Sequence, residues 1–102
     1  MKILAVTACP SGVAHTYMAA EAIKKACAAK GIECKVETQG SIGVENGISA
    51  ADLAGATAVI LTTDMPIINA ERFEGLPKVK VKCSVAIKSS DAIIRKIEDQ
   101  LG

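Results

Sequence analysis

The chain carries two short runs that are apolar on both faces, Lys2 to Ala8 and Ala56 to Thr62. A strand covered on both sides reads this way, so both runs are expected in the middle of a parallel sheet. Two other segments alternate instead. Glu33 to Gln39 sets Cys34, Val36 and Thr38 on one face and Glu33, Lys35, Glu37 and Gln39 on the other. Lys78 to Cys83 turns Val79, Val81 and Cys83 inward and Lys78, Lys80 and Lys82 outward. Alternation of this kind predicts half-exposed edge strands, and the spaced lysines discourage edge-to-edge association.

Helical spacing fills the gaps. From about Val13 to Lys30, Met18, Ala19, Ala22, Ile23, Ala26 and Cys27 recur at three- and four-residue steps, which predicts a helix with that stripe on the sheet. Glu21 and Lys25 sit on its wet side, and Gly31 ends it. Gly40, Gly43, Asn46 and Gly47 predict a loop. Ser49 and Asp52 have the spacing of a capping pair for a short helix to about Ala54. Pro66 stops the strand that ends in Thr62-Thr63-Asp64-Met65, Asn69 is placed to cap a single turn through Phe73, and Gly75-Leu76-Pro77 turns the chain. Ser89 or Ser90 then caps a last helix buried through Ile93, Ile94, Ile97 and Leu101.

Two continuous and two alternating strands joined by right-handed crossovers give a four-stranded parallel sheet of order 2-1-3-4. Helices cover both faces, so the expected class is α/β, a three-layer sandwich of flavodoxin-like type. In such a sheet ligands bind at the carboxyl ends of the strands where the order reverses, here between the first and third. That puts the turn after Ala8 beside Thr62, Thr63 and Asp64.

Composition narrows the classes. With 102 residues, half of them apolar, the chain supports one core, so residues 1–102 are expected to be a single domain. A net charge of +1, one Tyr, one Phe and no Trp leave neither a basic stripe nor stacking platforms for nucleic acid. No apolar run approaches the roughly 18 residues of a membrane span and no cleavable leader precedes the first strand, so a soluble, cytoplasmic protein without membrane insertion is expected. The four cysteines, Cys9, Cys27, Cys34 and Cys83, are scattered and His15 is the one histidine, so neither a metal site nor a disulfide framework is expected and no cofactor is called for. Cys27, Cys34 and Cys83 read as core.

The chemistry concentrates in the turn itself. Cys9 stands at the mouth of a loop between strand and helix, where unpartnered amides and the helix dipole favour an anion and stabilise a thiolate. Pro10 has no N–H, so the donors are the amides of Ser11, Gly12, Val13, Ala14 and His15, with the hydroxyls of Ser11 and Thr16. Those groups suit a phosphoryl group held on sulfur. They are equally compatible with Cys9 as a small hydrophobe closing a strand.

The run Cys9-Pro10-Ser11-Gly12-Val13-Ala14-His15-Thr16-Tyr17-Met18-Ala19-Ala20-Glu21-Ala22 resembles the phosphorylation-site signature of the fructose-family enzyme IIB component of the bacterial phosphoenolpyruvate-dependent sugar phosphotransferase system (PTS). A second block, Val36-Glu37-Thr38-Gln39-Gly40-Ser41-Ile42-Gly43, is similar to the same family, with Ser11 and Val13 in place of its usual Thr and Ile. The resemblance implies the same sandwich. It also implies that Cys9 accepts a phosphoryl group from phosphohistidine of enzyme IIA and passes it to fructose, or a fructose-like sugar, bound by the membrane permease IIC. The loop from Pro10 through Thr16 would hold that group, with His15 either bonding the phosphoryl group or setting the Cys9 charge, or equally contacting a helix-start carbonyl. Their places at the carboxyl ends of the strands make Asp64 and Gln39 candidates for support. IIC is then a separate polypeptide or a removed segment.

Two other readings compete. A low-molecular-weight phosphatase-like hydrolase uses Cys-x5-Arg and an Asp followed by Pro; here Cys9 is followed at that spacing by His15, and Asp64-Met65-Pro66 imitates the acid. The missing guanidinium clamp weighs against it. A redox-sensing or binding module that uses the same thiol needs a resolving Cys near Cys9, and nothing in the sequence places one there.

Overall fold

The computed structural model describes residues 1–10, 13–40 and 43–101. Five strands, β1 (Lys2–Thr7), β2 (Glu33–Gly40), β3 (Gly43–Glu45), β4 (Ala58–Thr62) and β5 (Lys78–Val81), form one sheet of order β3-β2-β1-β4-β5. Helices α1 (Val13–Ala29) and α3 (Cys83–Leu101) lie on one face, while α2 (Ala50–Leu53) and a 3-10 turn (Ala70–Phe73) belong to the other. The four parallel strands keep the order expected from the apolar pattern. The expected loop at Gly40 to Gly47, however, contains β3, which runs antiparallel to β2 with Gln39 opposite Val44. Glycine-rich turn chemistry concealed a three-residue strand whose existence depends on its neighbour. The consequence is that β2 is no edge.

The doubly apolar strands are central for the expected reason. Ile3 and Ala5 of β1 pack with Ala19, Ile23, Cys27 and Ile94 under α1 and α3. Leu4 and Val6 point the other way, into a smaller core with Ile48, Val59, Leu61 and Phe73. Register follows, with Ile3 opposite both Cys34 and Ala58. On β5, Lys78 and Lys80 are exposed, and Val79 and Val81 half-buried, as alternation predicts.

Helix ends divide into those the sequence marks and those it misplaces. Gly31 adopts φ +68°, and the bonds Ile32 N–H to Cys27 C=O (2.9 Å) and Gly31 N–H to Ala28 C=O (3.1 Å) close α1 in a Schellman motif. Ser49 and Asp52 form a reciprocal capping box: Ser49 N–H donates to Asp52 Oδ2 (2.9 Å) and Asp52 N–H to Ser49 Oγ (3.3 Å). Asn69 departs from its expected role, because its φ of +59° is left-handed and its side chain makes no cap bond. The last helix begins at Cys83, well before Ser89; Cys83 is its first residue and not part of β5. Ser89 instead marks a kink (φ −132°, ψ 28°), beside which Ser90 Oγ donates to the Ala86 carbonyl.

On α1, Ala19, Ile23, Ala26 and Cys27 are buried, but Met18, expected on the same stripe, is 51% exposed. Residues spaced three and four apart spread over an arc, and Met18 falls at its outer edge, where it lines a groove with Ile87 of α3. Glu21 pairs with Lys24 (3.7 Å) and not with Lys25. The expectation that Glu37 and Gln39 face water is also overturned. Both are buried, Glu37 at 1% exposure, because each has polar partners inside.

Candidate active site

The turn after β1 is held from three sides. Ala8 N–H donates to Thr62 Oγ1 (2.9 Å), which donates in turn to the Ala8 carbonyl (3.2 Å), so the ends of β1 and β4 are clamped by one hydroxyl. Thr7 Oγ1 donates to the Thr16 carbonyl (3.0 Å), pinning the first turn of α1 to the same strand. The Cys83 thiol donates to the Ala8 carbonyl (3.5 Å) from the start of α3. These bonds tie the backbone on which Cys9 stands to the end of β4 and to the first turns of α1 and α3.

Cys9 is half-buried, and its Sγ lies 4.0 Å from Nδ1 of exposed His15. With Pro10, Gln39, Gly40 and Met65 it lines a shallow cleft of about 210 Å³. A larger cavity of about 420 Å³ adjoins it, lined by Thr62, Thr63, Asp64, Met65 and Lys80 among others. The Cys9 turn thus sits beside Thr62 and Asp64, as the strand order predicts. Pro10, Ala14 and His15 are exposed, whereas Thr16 is 1% exposed with its hydroxyl buried under the helix. The backbone of Val13 opens α1; Ser11 and Gly12 lie outside the described residues.

Asp64 is exposed, and its Oδ1 accepts a hydrogen bond from the Cys83 amide (2.7 Å), the first amide of α3. A carboxylate there meets the positive end of the helix. Gln39 borders the cleft, yet its amide is engaged elsewhere: Nε2 donates to Glu37 Oε2 (2.7 Å) and to the Ile68 carbonyl (3.1 Å), and Oε1 accepts from Ile68 N–H (2.8 Å). Gln39 therefore holds the segment after β4 against β2.

Two groups escaped sequence reasoning. Arg72, on the 3-10 turn, binds both oxygens of Glu37 (2.8 and 2.5 Å) and stacks on Phe73 at 4.6 Å. Arg72 is thereby committed to Glu37. Cys83 is the second. It reads as core, and at 1% exposure it is core, but its Sγ, the Cys9 Sγ and an Asp64 carboxylate oxygen all lie within 4.8 Å of one another. Burial and then the Asp64 carboxylate push the Cys83 thiol up to about 12. The clue was positional: Cys83 follows a parallel strand, so it emerges at the same end of the sheet as Cys9.

A sheet of four parallel strands and one short antiparallel edge, whose central strand delivers a cysteine to the switch point just ahead of a helix, defines a flavodoxin-like α/β domain with a cysteine loop. A flavodoxin from the domain Archaea shares the fold at TM-score 0.56 and 13% identity, covering 96% of this chain and 99% of its own. Nearer relatives are specific. Residues 4–96 match the family described as PTS system, Lactose/Cellobiose specific IIB subunit. The PTS system fructose-like EIIB component 2 of Escherichia coli K12 is 62% identical over 100 residues, covering 98% of this chain and 94% of that protein. A domain of the fructose-specific IIABC component of Borrelia burgdorferi superposes with TM-score 0.89 at 45% identity, covering 96% of this chain and 93% of its own. A predicted fructose-specific IIB from Escherichia coli does so with TM-score 0.90 at 37%, covering 99% and 89%. The chain belongs to the EIIB family of the PTS. Among the described residues, no helix is long and apolar enough to cross a membrane.

Proposed function

We propose that this protein is a cytoplasmic PTS phosphocarrier, one domain over residues 1–102, whose Cys9 carries the phosphoryl group. The observation that supports this most is the position of Cys9, half-buried at the carboxyl end of the central strand and immediately ahead of the N-terminus of α1. The Cys9 sulfur attacks phosphorus of a phosphohistidine on enzyme IIA; the S–P bond forms as the P–N bond breaks, and the electron pair stays on the imidazole. The segment Pro10, Ser11, Gly12, Val13, Ala14, His15 and Thr16 holds the phosphoryl oxygens, chiefly through backbone amides, with Ser11 adding a hydroxyl. In the second step a hydroxyl of fructose, or of a fructose-like sugar on the permease IIC, attacks phosphorus. The S–P bond then breaks, the thiolate is regenerated and the sugar hydroxyl gives up its proton. His15 lies near enough to bond the phosphoryl group. Asp64 and Gln39 support the site indirectly, by holding α3 and the segment after β4.

IIA docks on the rim around Cys9. Tyr17 and Met18 are exposed on the first turns of α1, the helix that follows the Cys9 turn, and line a groove with Glu21, Ala22, Lys25 and Ile87.

The test is phosphorylation of the purified chain by phosphoenolpyruvate, the general PTS proteins and a fructose-family IIA, read as intact mass. Wild type gains one phosphoryl group and Cys9→Ser none. Equal phosphorylation of both proteins, or no gain with any IIA alongside turnover of an aryl phosphate, overturns the reading; the latter favours a hydrolase.

A further inference from the structure

In the phosphoryl chemistry only Cys9 reacts and Asp64 acts only through its hold on α3, so the grouping of Cys9, Cys83 and Asp64 as a set of ligand atoms is unaccounted for. Each residue comes from a different place: the turn after β1, the first residue of α3, and the segment after β4. Their ligand atoms lie within 4.8 Å of one another. Around a tetrahedral zinc ion with Zn–S near 2.3 Å and Zn–O near 2.1 Å, two thiolates sit roughly 3.8 Å apart and a thiolate and a carboxylate oxygen roughly 3.6 Å. Contraction by about 1.2 Å at most closes the triangle, within the reach of side-chain torsions.

The surroundings favour a bound ion over a loose cluster. Asp64 Oδ1 is held by the Cys83 amide, which orients the carboxylate and leaves its second oxygen available. Thr62 clamps Ala8 beside Cys9, and the Cys83 thiol reaches the Ala8 carbonyl, so the two sulfurs are brought to one strand end; that thiol bond is given up when the ion takes the sulfur. Cys83 is enclosed, while Asp64 is exposed and gives access from solvent. Two sulfurs and one oxygen select a thiophilic divalent ion and disfavour magnesium or calcium.

We propose that Cys9, Cys83 and Asp64 form a site for a thiophilic divalent cation of the zinc class, with water at the fourth position, and that its occupation withdraws Cys9 from phosphoryl transfer. The ion displaces the protons of both thiols on binding. The site itself is independent of the phosphocarrier reading; only its effect on transfer rests on it.

The test uses the reduced, chelator-treated full chain with Co2+ and Zn2+ alone. Wild type is expected to bind one Co2+ with a thiolate-to-cobalt charge-transfer band, whose intensity falls by about half in Cys9→Ser and in Cys83→Ser. Zn2+ affinity, measured by competition with a chromophoric chelator, is expected to fall at least about tenfold in Asp64→Asn, since even outer-shell partners are worth about 10–100-fold. Asn keeps the acceptor for the Cys83 amide, so this variant folds even if Cys83→Ser does not. Cys34→Ser is the control, because Cys34 hydrogen-bonds Cys27 in a second pair of thiols. An unchanged band in Cys9→Ser, an unchanged affinity in Asp64→Asn, or loss of the band in Cys34→Ser overturns the proposal. Zn2+ that binds stoichiometrically yet leaves phosphorylation by IIA unaffected overturns the withdrawal of Cys9 alone.

Discussion

Arg72 grips both carboxylate oxygens of Glu37, at 2.8 and 2.5 Å, across 35 residues of chain. Glu37 also accepts the Ile48 amide (2.8 Å), and Arg72 donates to the Ile48 carbonyl (3.2 Å), so one ion pair joins β2, the approach to α2 and the 3-10 turn. Breaking a buried pair by removing one partner costs about 3–5 kcal/mol. Arg72→Met is expected near the lower end, about 3 kcal/mol, because the arginine side chain keeps 21% exposure while Glu37 has 1%. Urea unfolding measures this; a loss below about 1 kcal/mol would sink the view that the pair is structural.

The same pair makes stability depend on acid. Burial alone would raise the Glu37 pKa, but hydrogen bonds from Arg72, the Ile48 amide and Gln39, with the arginine charge, outweigh it and hold the carboxyl below its ordinary 4.5. A depressed folded value means that the stabilisation is complete above the unfolded value and is lost as pH falls through the folded one. Unfolding free energy is therefore expected to drop below about pH 4.5 in wild type and to flatten in Glu37→Gln. Parallel slopes for the two proteins would remove Glu37 as the cause.

Thiol labelling should separate the cysteines by burial. Cys27 is fully buried, with its thiol pushed up by the Cys34 hydrogen bond and by burial, and Cys83 is held as a neutral thiol by burial and Asp64. At about pH 8, iodoacetamide is expected to modify the half-buried Cys9 and Cys34 while Cys27 and Cys83 react only on unfolding. Peptide mapping against time checks this, and early labelling of Cys83 would contradict the enclosed geometry.

Thr62→Val keeps shape and removes the hydroxyl clamp on Ala8. Leaving a buried amide unsatisfied costs about 1–3 kcal/mol. The variant is expected to lose that much stability and, because the Cys9 backbone is released, to accept a phosphoryl group from IIA more slowly at temperatures where it is still fully folded. Unchanged transfer in the folded variant would confine Thr62 to stability.

Met18 and Ile23 stand five residues apart on α1 and should respond oppositely. Ile23→Ala is expected to cost about 2–5 kcal/mol as a core truncation, and Met18→Asp under about 0.5 kcal/mol as a surface change. On the docking proposed for IIA, Met18→Asp slows phosphoryl uptake with the fold intact. Thermal denaturation with initial transfer rates distinguishes the two positions; normal rates in Met18→Asp would move the docking face elsewhere.

Much of this protein was legible from local pattern. The doubly apolar runs marked β1 and β4 as central, the alternating lysines marked β5 as an edge, Ser49 and Asp52 marked the α2 cap, and right-handed crossovers then led the Cys9 turn to Thr62 and Asp64. Each of these depends on nearest neighbours in the chain, or on a topological rule with few exceptions.

The remainder was decided only when distant segments met. Glu37 and Gln39 look like wet positions until Arg72 and Ile68 supply their partners, since a polar group is buried only where its hydrogen bonds are satisfied. Three-residue β3 exists because β2 offers it an edge. Met18 stands at the edge of the α1 stripe and stays 51% exposed, and Cys83 meets Cys9 because parallel strands deliver their following residues to the same end of the sheet. By itself, the sequence determined the four parallel strands, their order and the place of the Cys9 turn, through periodicity and turn chemistry. Tertiary structure decided which polar groups are paired and which thiols are neighbours, because those depend on contacts between residues far apart in the chain.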